Sequence, residues 1–376
     1  MRHMHRRSRD SVAFTVLVSV LVLVGALVMA LVVGLSGASS TVVVATALAA
    51  LPVGPVVGCL LWLDRYEPEP RSLLAAGLLW GAFVATAAAL LLQGLGGLVV
   101  PMDEYLSLTV AAPVVEEATK GLFLLFLLWW RRHELDGILD GIVYAGMIGV
   151  GFAFTENILY LASAYDGTPG VGPGGSGELA WTFVLRCLVS PFAHPLFTAF
   201  IGIGVGVAVA SRTPLGRIGA PVVGYVVAVL THALWNAAST GAFGGFVLVY
   251  VVVMAPVFVL LIGFALFRRG NEKVMLEAAL ADAARHGLLP ETDIPWLVDL
   301  RARRESRRFA LAHGGPQAAR HMREYQQSAV ELGFLHHRYL RGTPPTDFVL
   351  RGQDHMVRLA QLRPHVAFPG QVVPTR

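Results

Sequence analysis

Two adjacent glutamates and a lysine lie inside one long apolar run, and these three residues carry the strongest signal for chemistry in the chain. The run extends from Leu106 to Trp130 and contains Glu116, Glu117 and Lys120. An ionisable side chain at membrane depth is costly unless it is paired or faces a wet cavity, so such residues are rare and usually functional. On a helix, Lys120 shares a face with both glutamates. One cation can therefore hold one carboxylate and leave the other free for acid–base chemistry.

Three other apolar segments also carry polar groups. Counted from the N-terminus, the fifth apolar run of the chain contains Glu156 and Asn157, the sixth contains His194, and the seventh contains His232 and Asn236. His232 and Asn236 are at i,i+4, so on a helix they share a face and can point at one ligand. Four separated segments that bring ionisable or amide groups to membrane depth predict one common site.

Depth along the helices tests whether these groups can meet. With a rise of ~1.5 Å per residue, Glu116 lies ~15 Å from the outer end of its helix. The same arithmetic places Glu156 and His232 ~12 Å from the outer ends of theirs. We expect all three to share one level in the outer half of the bilayer.

The segment around His194 is predicted to be interrupted. Pro191 and Pro195 flank the histidine, and proline inside a helix removes a hydrogen bond and clashes with the preceding turn. The freed carbonyls must then be satisfied by protein or by water. A broken helix beside a histidine favours a hydrated cavity.

These residue types suit hydrolysis of a peptide bond. Glu116 or Glu117 can act as general base on a water molecule, and histidine and Asn236 can donate to the developing oxyanion. Alternatively, His194, His232 and Glu156 can bind zinc with a water in the open position. No serine or cysteine accompanies the histidines in a convincing nucleophile setting.

Simpler interpretations remain open for each part. Glu116 and Lys120 can form a structural ion pair, and Glu156 with Asn157 can bridge helices. The whole set can also serve a proton-coupled transporter as a relay of buried carboxylates and imidazoles. A third alternative is a membrane scaffold without catalytic activity.

The composition defines the element that must position these residues, the transmembrane helix. Of 376 residues, 55% are hydrophobic and 14% are charged, and the mean hydropathy is +0.63. These values indicate an all-α, polytopic membrane helical bundle. About eight runs are long enough to cross the ~30 Å hydrocarbon core: Val12–Leu35, Thr41–Leu63, Leu73–Val100, Leu106–Trp130, Ile138–Ala164, Leu179–Ala210, Ile218–Thr240 and Phe243–Phe267.

The loops between these runs predict the orientation. Lys and Arg occur in the N-terminal arm and in every second loop after it, whereas the alternate loops carry none. The positive-inside rule then places both termini in the cytoplasm. We expect a multi-pass protein of the cell membrane, in contact with the lipid bilayer.

The chain divides by composition into residues 1–267, the transmembrane part, and residues 268–376, a basic helical appendage predicted to be cytoplasmic. The second part has 17 Lys and Arg against 11 Asp and Glu. This excess suits anionic lipid headgroups or a solvated helical surface, and nothing indicates nucleic acid. Helical spacing separated by Gly/Pro breakers predicts three helices there: Glu272–His286, Pro295–His313 and Gln317–Leu340.

The ordered set of motifs resembles the PrsW family of bacterial intramembrane proteases over about residues 50–265. The motifs are Asp64–Pro70, Glu116-Glu117-x-x-Lys120, Asp140-Gly141, Gly151 to Asn157, His194 followed by Gly202, and His232-x-x-x-Asn236. The family is more distantly similar to the prenyl-protein (CAAX) endopeptidases and to the scaffold subunit of gamma-secretase.

The resemblance implies an intramembrane endopeptidase. It implies that Glu116 and Glu117 are the catalytic carboxylates, that His194 and His232 bind the water, a metal or the oxyanion, and that Glu156 and Asn236 lie beside them. Lys120 and Asn157 then have supporting roles. Family members are grouped with metallopeptidases, whereas the related CAAX enzymes look like metal-free glutamate proteases, so zinc remains one of two alternatives. The implied partner is a membrane-protein substrate such as a single-span anti-sigma factor, and the oligomeric state is not implied.

Overall fold

The computed structural model describes residues 2–135, 137–167, 173–241, 243–345 and 347–370, and no strand occurs among them. The chain forms two compact units. The first comprises the described residues of Met1–Trp62 and Glu69–Ala265, and the second those of Leu63–Pro68 and Leu266–Arg376. The loop between the second and third apolar runs is thus divided between the two units.

Eight long helices occur in the described part of the chain up to residue 285. They are α1 (Arg2–Leu35), α2 (Ser39–Leu63), α3 (Arg71–Val99), α4 (Ala112–Trp130), α5 (Ile138–Asp166), α6 (Ser176–Ala210), α7 (Pro214–Thr240) and α8 (Gly244–Arg285). The predicted all-α polytopic fold is confirmed, and the protein is a multi-pass membrane protein.

The helix α4 differs from the other seven. Those seven are long and apolar enough to cross a membrane, taking α1 from Val12 onward. In contrast, α4 carries three charged side chains within its 19 residues, and a turn at Glu104–Leu106 and a π-helical turn at Ser107–Ala111 precede it without a break. The predicted run Leu106–Trp130 is therefore helical, but α4 is not among the seven helices that are long and apolar enough to cross a membrane.

The central helix of the first unit is α5. In its most apolar stretch 83% of the residues are buried, against 6% in α8. Glycine permits this close packing, because a Cβ atom on Gly149 would lie 2.6 Å from the backbone nitrogen of Pro195 in α6. Small residues at helix contacts let backbones approach closely in membranes. Gly149 therefore allows α5 to lie directly against the turn that carries His194.

The predicted interruption of α6 is observed. A π-helical turn at Val184–Val189 ends at Ser190, and α-helix resumes at Ala193. Pro195 falls in the first turn of the resumed helix, where proline is tolerated because no intrahelical N–H bond is needed there. The carbonyl of Val189 accepts a hydrogen bond of 2.8 Å from the Tyr250 hydroxyl, so one group freed by the break is satisfied by protein.

The second unit has its own helices and core. Its helices after α8 are α9 (Ile294–Val298), α10 (Leu300–Leu340) and α11 (Phe348–Leu362), and α10 is kinked at Gly315, where φ is 71°. The core includes Leu280, Leu297, Met322 and Phe368.

One predicted boundary in this region is wrong, and one helix was not predicted. The eighth apolar run ends at Phe267, but α8 continues to Arg285, because the residues that follow are good helix formers and the single Gly270 is tolerated. The predicted helix end at Leu340 is observed, and the helix that was not predicted is α11, which follows the Gly-Thr-Pro-Pro segment.

Candidate active site

The carboxylate of Glu117 is held from three directions. Its Oε1 lies 2.8 Å from the Lys120 ammonium nitrogen and 3.0 Å from Nδ1 of His232, and its Oε2 accepts a 3.0 Å hydrogen bond from the Thr198 hydroxyl. All four side chains are buried. A buried charge is tolerated when it is paired and hydrogen-bonded, and Glu117 meets both conditions.

The neighbouring carboxylate of Glu116 is buried as well, but it is differently placed. Its Oε2 has no hydrogen-bond partner among the described residues. This oxygen lies 3.7 Å from the Lys120 nitrogen and 3.8 Å from Nε2 of His232. Both separations are longer than a hydrogen bond. Glu117 is therefore hydrogen-bonded at both oxygens, whereas Oε2 of Glu116 makes no hydrogen bond among the described residues, which is the division that the spacing in α4 predicts.

The imidazole of His194 is held at both ring nitrogens. Its Nδ1 lies 3.2 Å from the Lys120 nitrogen, and its Nε2 lies 2.6 Å from Oε2 of Glu156. An ammonium group can only donate and a carboxylate can only accept. The contacts therefore assign the proton to Nε2 and leave the lone pair of Nδ1 toward Lys120.

Both histidines thus have one nitrogen on a carboxylate, Glu156 for His194 and Glu117 for His232. Metal-binding histidines typically have this arrangement, in which the carboxylate fixes the tautomer and the ring orientation. Ligand atoms of Glu116, His194 and His232 lie within 4.8 Å of one another, and we call these three residues the triad. Oε2 of Glu116 and Nε2 of His232 fit a divalent cation such as zinc. His194 would bind the same ion through Nδ1, which now faces the Lys120 ammonium, so the ion would have to displace that ammonium.

Arg186 of α6 joins the site, although the sequence patterns did not single it out. Its guanidinium forms an ion pair with Oε2 of Glu156, and its Nε donates a 2.8 Å hydrogen bond to Oδ1 of Asn157. The guanidinium also lies 3.9 Å from the centre of the Tyr160 ring. The signal that could have identified it is a lone arginine inside an apolar run, by the same reasoning that selected Glu116.

Two of the predicted site residues have other immediate partners. Glu156 lies outside the triad, with its Oε2 shared by Arg186 and His194. Asn236 donates a 2.9 Å hydrogen bond to the backbone oxygen of Leu108 and, within the part of the chain that is described, makes no hydrogen bond to the glutamates or imidazoles of the site. It satisfies a carbonyl of the π-helical turn that precedes α4.

The fold and the site together define a class of protein. It is a multi-pass helical membrane protein in which four helices bring carboxylates, imidazoles and a lysine together in a buried site. Within that class, the family description "PrsW family intramembrane metalloprotease" matches residues 69–261, about half of the chain. The chain belongs to this family.

Three curated relatives are each named Protease PrsW. The one from Geobacillus kaustophilus (strain HTA426) is 28% identical over 163 residues, which are 43% of this chain and 66% of that protein. The relative from Clostridioides difficile (strain 630) is 33% identical over 168 residues, which are 41% of this chain and 63% of that protein. The relative from Oceanobacillus iheyensis is 31% identical over 165 residues, which are 43% of this chain and 66% of that protein. The chain thus matches slightly less than two thirds of each relative's length. No solved structure matches it.

Proposed function

We propose that this protein is an intramembrane endopeptidase that hydrolyses a peptide bond in or next to a transmembrane segment of another membrane protein. The observation that carries the proposal is the free Oε2 of Glu116, which faces an imidazole held by a second carboxylate. A carboxylate in this state can accept a proton from water. The family description and the names of the relatives support the same activity.

The reaction is described by what the side chains do. Glu116 accepts a proton from water as the water oxygen bonds to the peptide carbonyl carbon. It returns that proton to the amide nitrogen when the C–N bond breaks. The Lys120 nitrogen lies 3.7 Å from Glu116 Oε2, so it supplies positive charge beside the developing oxyanion. Glu117 and Glu156 keep the imidazoles of His232 and His194 in fixed orientations.

A metal fits the same site. Glu116, His194 and His232 would hold it, and the ion would polarise the substrate carbonyl and lower the pKa of a bound water. Glu156, which the sequence predicted as a ligand, is better suited to orient His194, because its Oε2 is already shared by Arg186 and His194. In the ion-bound site Glu116 is a ligand, and in an ion-free site it is the general base.

One observation favours the ion-free version as a second candidate. The Lys120 ammonium already lies 3.2 Å from Nδ1 of His194, where it provides a cation next to the triad. Chelation distinguishes the two versions. If the ion is required, chelation removes cleavage and zinc restores it, and metal analysis shows less zinc in Glu116→Gln than in the wild type. Full cleavage by protein shown to contain no metal would instead establish the ion-free version.

The substrate is proposed to be a single-span membrane protein, with an anti-sigma factor as the class that the family resemblance suggests. The test of the function is cleavage of such a substrate in proteoliposomes. Glu116→Gln is expected to lower the rate by about 10²–10⁴, the typical contribution of a general base. Its thermal unfolding midpoint should change little, because Glu116 Oε2 has no hydrogen bond to lose among the described residues and glutamine keeps nearly the same side-chain shape.

The matched control is Glu104→Gln, which removes an exposed carboxylate from the turn that precedes α4. It should cleave at the wild-type rate. Retention of the wild-type rate in Glu116→Gln would contradict the proposed function.

A further inference from the structure

We infer that Arg186 is a positioning residue for His194, which it orients through the carboxylate of Glu156. The inference rests on the proposed function, because it assigns a role within the same site. Arg186 does not belong to the triad. Its effect on the triad passes through Oε2 of Glu156, which contacts both the guanidinium and Nε2 of His194.

The guanidinium is itself fixed by three separate contacts. One nitrogen pairs with Glu156, Nε donates to Asn157 at 2.8 Å, and the plane lies 3.9 Å from the Tyr160 ring centre. All three partners belong to consecutive turns of α5. An arginine fork held at several points presents its donors in one geometry, which a lysine cannot reproduce. Arg186 therefore fixes where Glu156 Oε2 lies.

The position of this oxygen determines which nitrogen of His194 faces Lys120. With Glu156 ionised, Nε2 of His194 must carry the proton, and the Nδ1 lone pair points toward Lys120. Removal of Arg186 takes away the cation directly paired with Glu156. Without the guanidinium, Oε2 of Glu156 is no longer held in one place, so the imidazole bonded to that oxygen can turn.

The fold explains why the contact spans two helices. Arg186 lies in the π-helical turn of α6 before the break at Ser190, and His194 lies after that break. Glu156 of α5 contacts Arg186 before the break and His194 after it, and so connects the two parts of α6. The unwound segment of α6 lacks regular helical hydrogen bonds, so an external carboxylate that binds both sides holds His194 in register with α5.

A double-mutant cycle tests this role. Arg186→Met is expected to lower kcat by about 10–100-fold, the range for residues that orient a ligand through hydrogen bonds, with KM changed less than about twofold. In a Glu156→Gln background, Arg186→Met should have no further effect on kcat, because the carboxylate through which it acts is gone. Multiplicative losses in the double variant would overturn the inference, as would an unchanged kcat in Arg186→Met.

The control for simple loss of packing is Cys187→Ala. Cys187 is buried in the same turn of α6 and contacts Asn157 at 3.7 Å. It should retain the wild-type kcat. A decrease equal to that of Arg186→Met would mean that the turn is merely sensitive to substitution.

A second measurement does not depend on catalysis. In ¹⁵N-histidine-labelled protein, the His194 signal is identified by its absence in His194→Gln, and its ring shifts report the tautomer. We expect the proton on Nε2 in the wild type and in Cys187→Ala, and a different or averaged state in Arg186→Met. An unchanged signal in Arg186→Met would contradict the positioning role. If the wild type cleaves no substrate, the proposed function fails, and this measurement still decides the role of Arg186.

Discussion

Lys120 contacts groups on three helices in a space closed to solvent. Its nitrogen lies 2.8 Å from Glu117 Oε1, 3.2 Å from His194 Nδ1 and 3.8 Å from the centre of the Phe152 ring. Desolvation of an ammonium group is expensive and is offset here by a direct carboxylate partner. The charge of Lys120 is therefore a condition for keeping Glu117 ionised and buried.

The buried pair gives a prediction about stability. Lys120→Met should lower the free energy of unfolding by on the order of 3–5 kcal/mol, because it leaves Glu117 buried without its cation. Adding Glu117→Gln should recover part of this loss, since it removes the carboxylate bonded directly to Lys120, whereas Glu116 still lacks the cation that lies 3.7 Å from its Oε2. Thermal unfolding in detergent micelles measures both variants.

The control for this pair is Lys273→Met. The Lys273 nitrogen lies 3.9 Å from Asp299, and the two side chains are 43% and 49% exposed. An exposed pair of this kind contributes little, so the change should be within about 1 kcal/mol. If the double variant at positions 117 and 120 is no more stable than Lys120→Met alone, the pair does not compensate in this way.

At the scale of single residues, spacing within one helix was informative and partners across helices were not. The i,i+3 and i,i+4 separations in α4 predicted that Lys120 would hold one glutamate. They could not select Glu117, because the Thr198 hydroxyl and His232 that complete its bonds come from α6 and α7. The lone arginine in an apolar run marks Arg186 as a candidate, but its partner could not be predicted, since Glu156 belongs to a different helix, α5.

At the scale of elements, the prolines around His194 predicted the interruption of α6, and the structure shows it at residues 190–192. The π-helical turns before the break and before α4 were not predicted. One extra residue in a turn is stabilised by what packs against it, as when Asn236 of α7 donates to the Leu108 carbonyl. The local sequence does not contain that information.

Close contact between α5 and α6 gives the second prediction. Gly149→Ala would place a Cβ atom 2.6 Å from the Pro195 nitrogen and 2.8 Å from the His194 carbonyl carbon, so the backbone beside the histidine must move. A Gly-to-Ala change inside a helix otherwise stabilises it by about 0.8–1 kcal/mol. We expect a lower unfolding midpoint and a loss of cleavage.

Gly263→Ala in α8 is the matched control, because no atom of the described residues lies within 4 Å of the added Cβ at that position. It should unfold at the same or a higher temperature and cleave normally. If Gly149→Ala unfolds and cleaves in the same way as Gly263→Ala, the contact between α5 and α6 is not tight in the protein.

At the scale of the whole molecule, the hydropathy of the chain was sufficient to predict a polytopic helical bundle. It was not sufficient to place residues 63–68, which are grouped with the second unit. Within that unit, Arg303 donates a 3.0 Å hydrogen bond to the backbone oxygen of Tyr66, and Arg269 lies 5.5 Å from the Tyr66 ring centre. A contact between positions so far apart in the chain leaves no periodic pattern in the sequence.

The core of the second unit contains a buried carboxylate with two partners. Asp293 is fully buried, accepts a 2.6 Å hydrogen bond from the Tyr325 hydroxyl, and accepts a 3.1 Å hydrogen bond from the Arg363 guanidinium. Burial and the bond to Asp293 raise the pKa of Tyr325, so the phenol remains a donor at any physiological pH. The carboxylate thus joins the segment before α9 to α10 and to the end of α11.

Asp293→Asn in the full chain is expected to loosen this unit selectively. The substitution removes the charge that faces Arg363 and weakens a hydrogen bond to a charged group, which costs on the order of 1–3 kcal/mol because the Arg363 side chain is 31% exposed and partly solvated. Hydrogen exchange followed by mass spectrometry should show faster exchange in peptides from residues 294–335, whereas peptides from α4 and α5 should exchange as in the wild type. Glu291→Gln, which removes an exposed carboxylate from the same short turn, should change neither set. Equal acceleration in both sets of peptides would mean that the two units do not unfold separately, and no acceleration would mean that the buried ion pair does not hold the unit together.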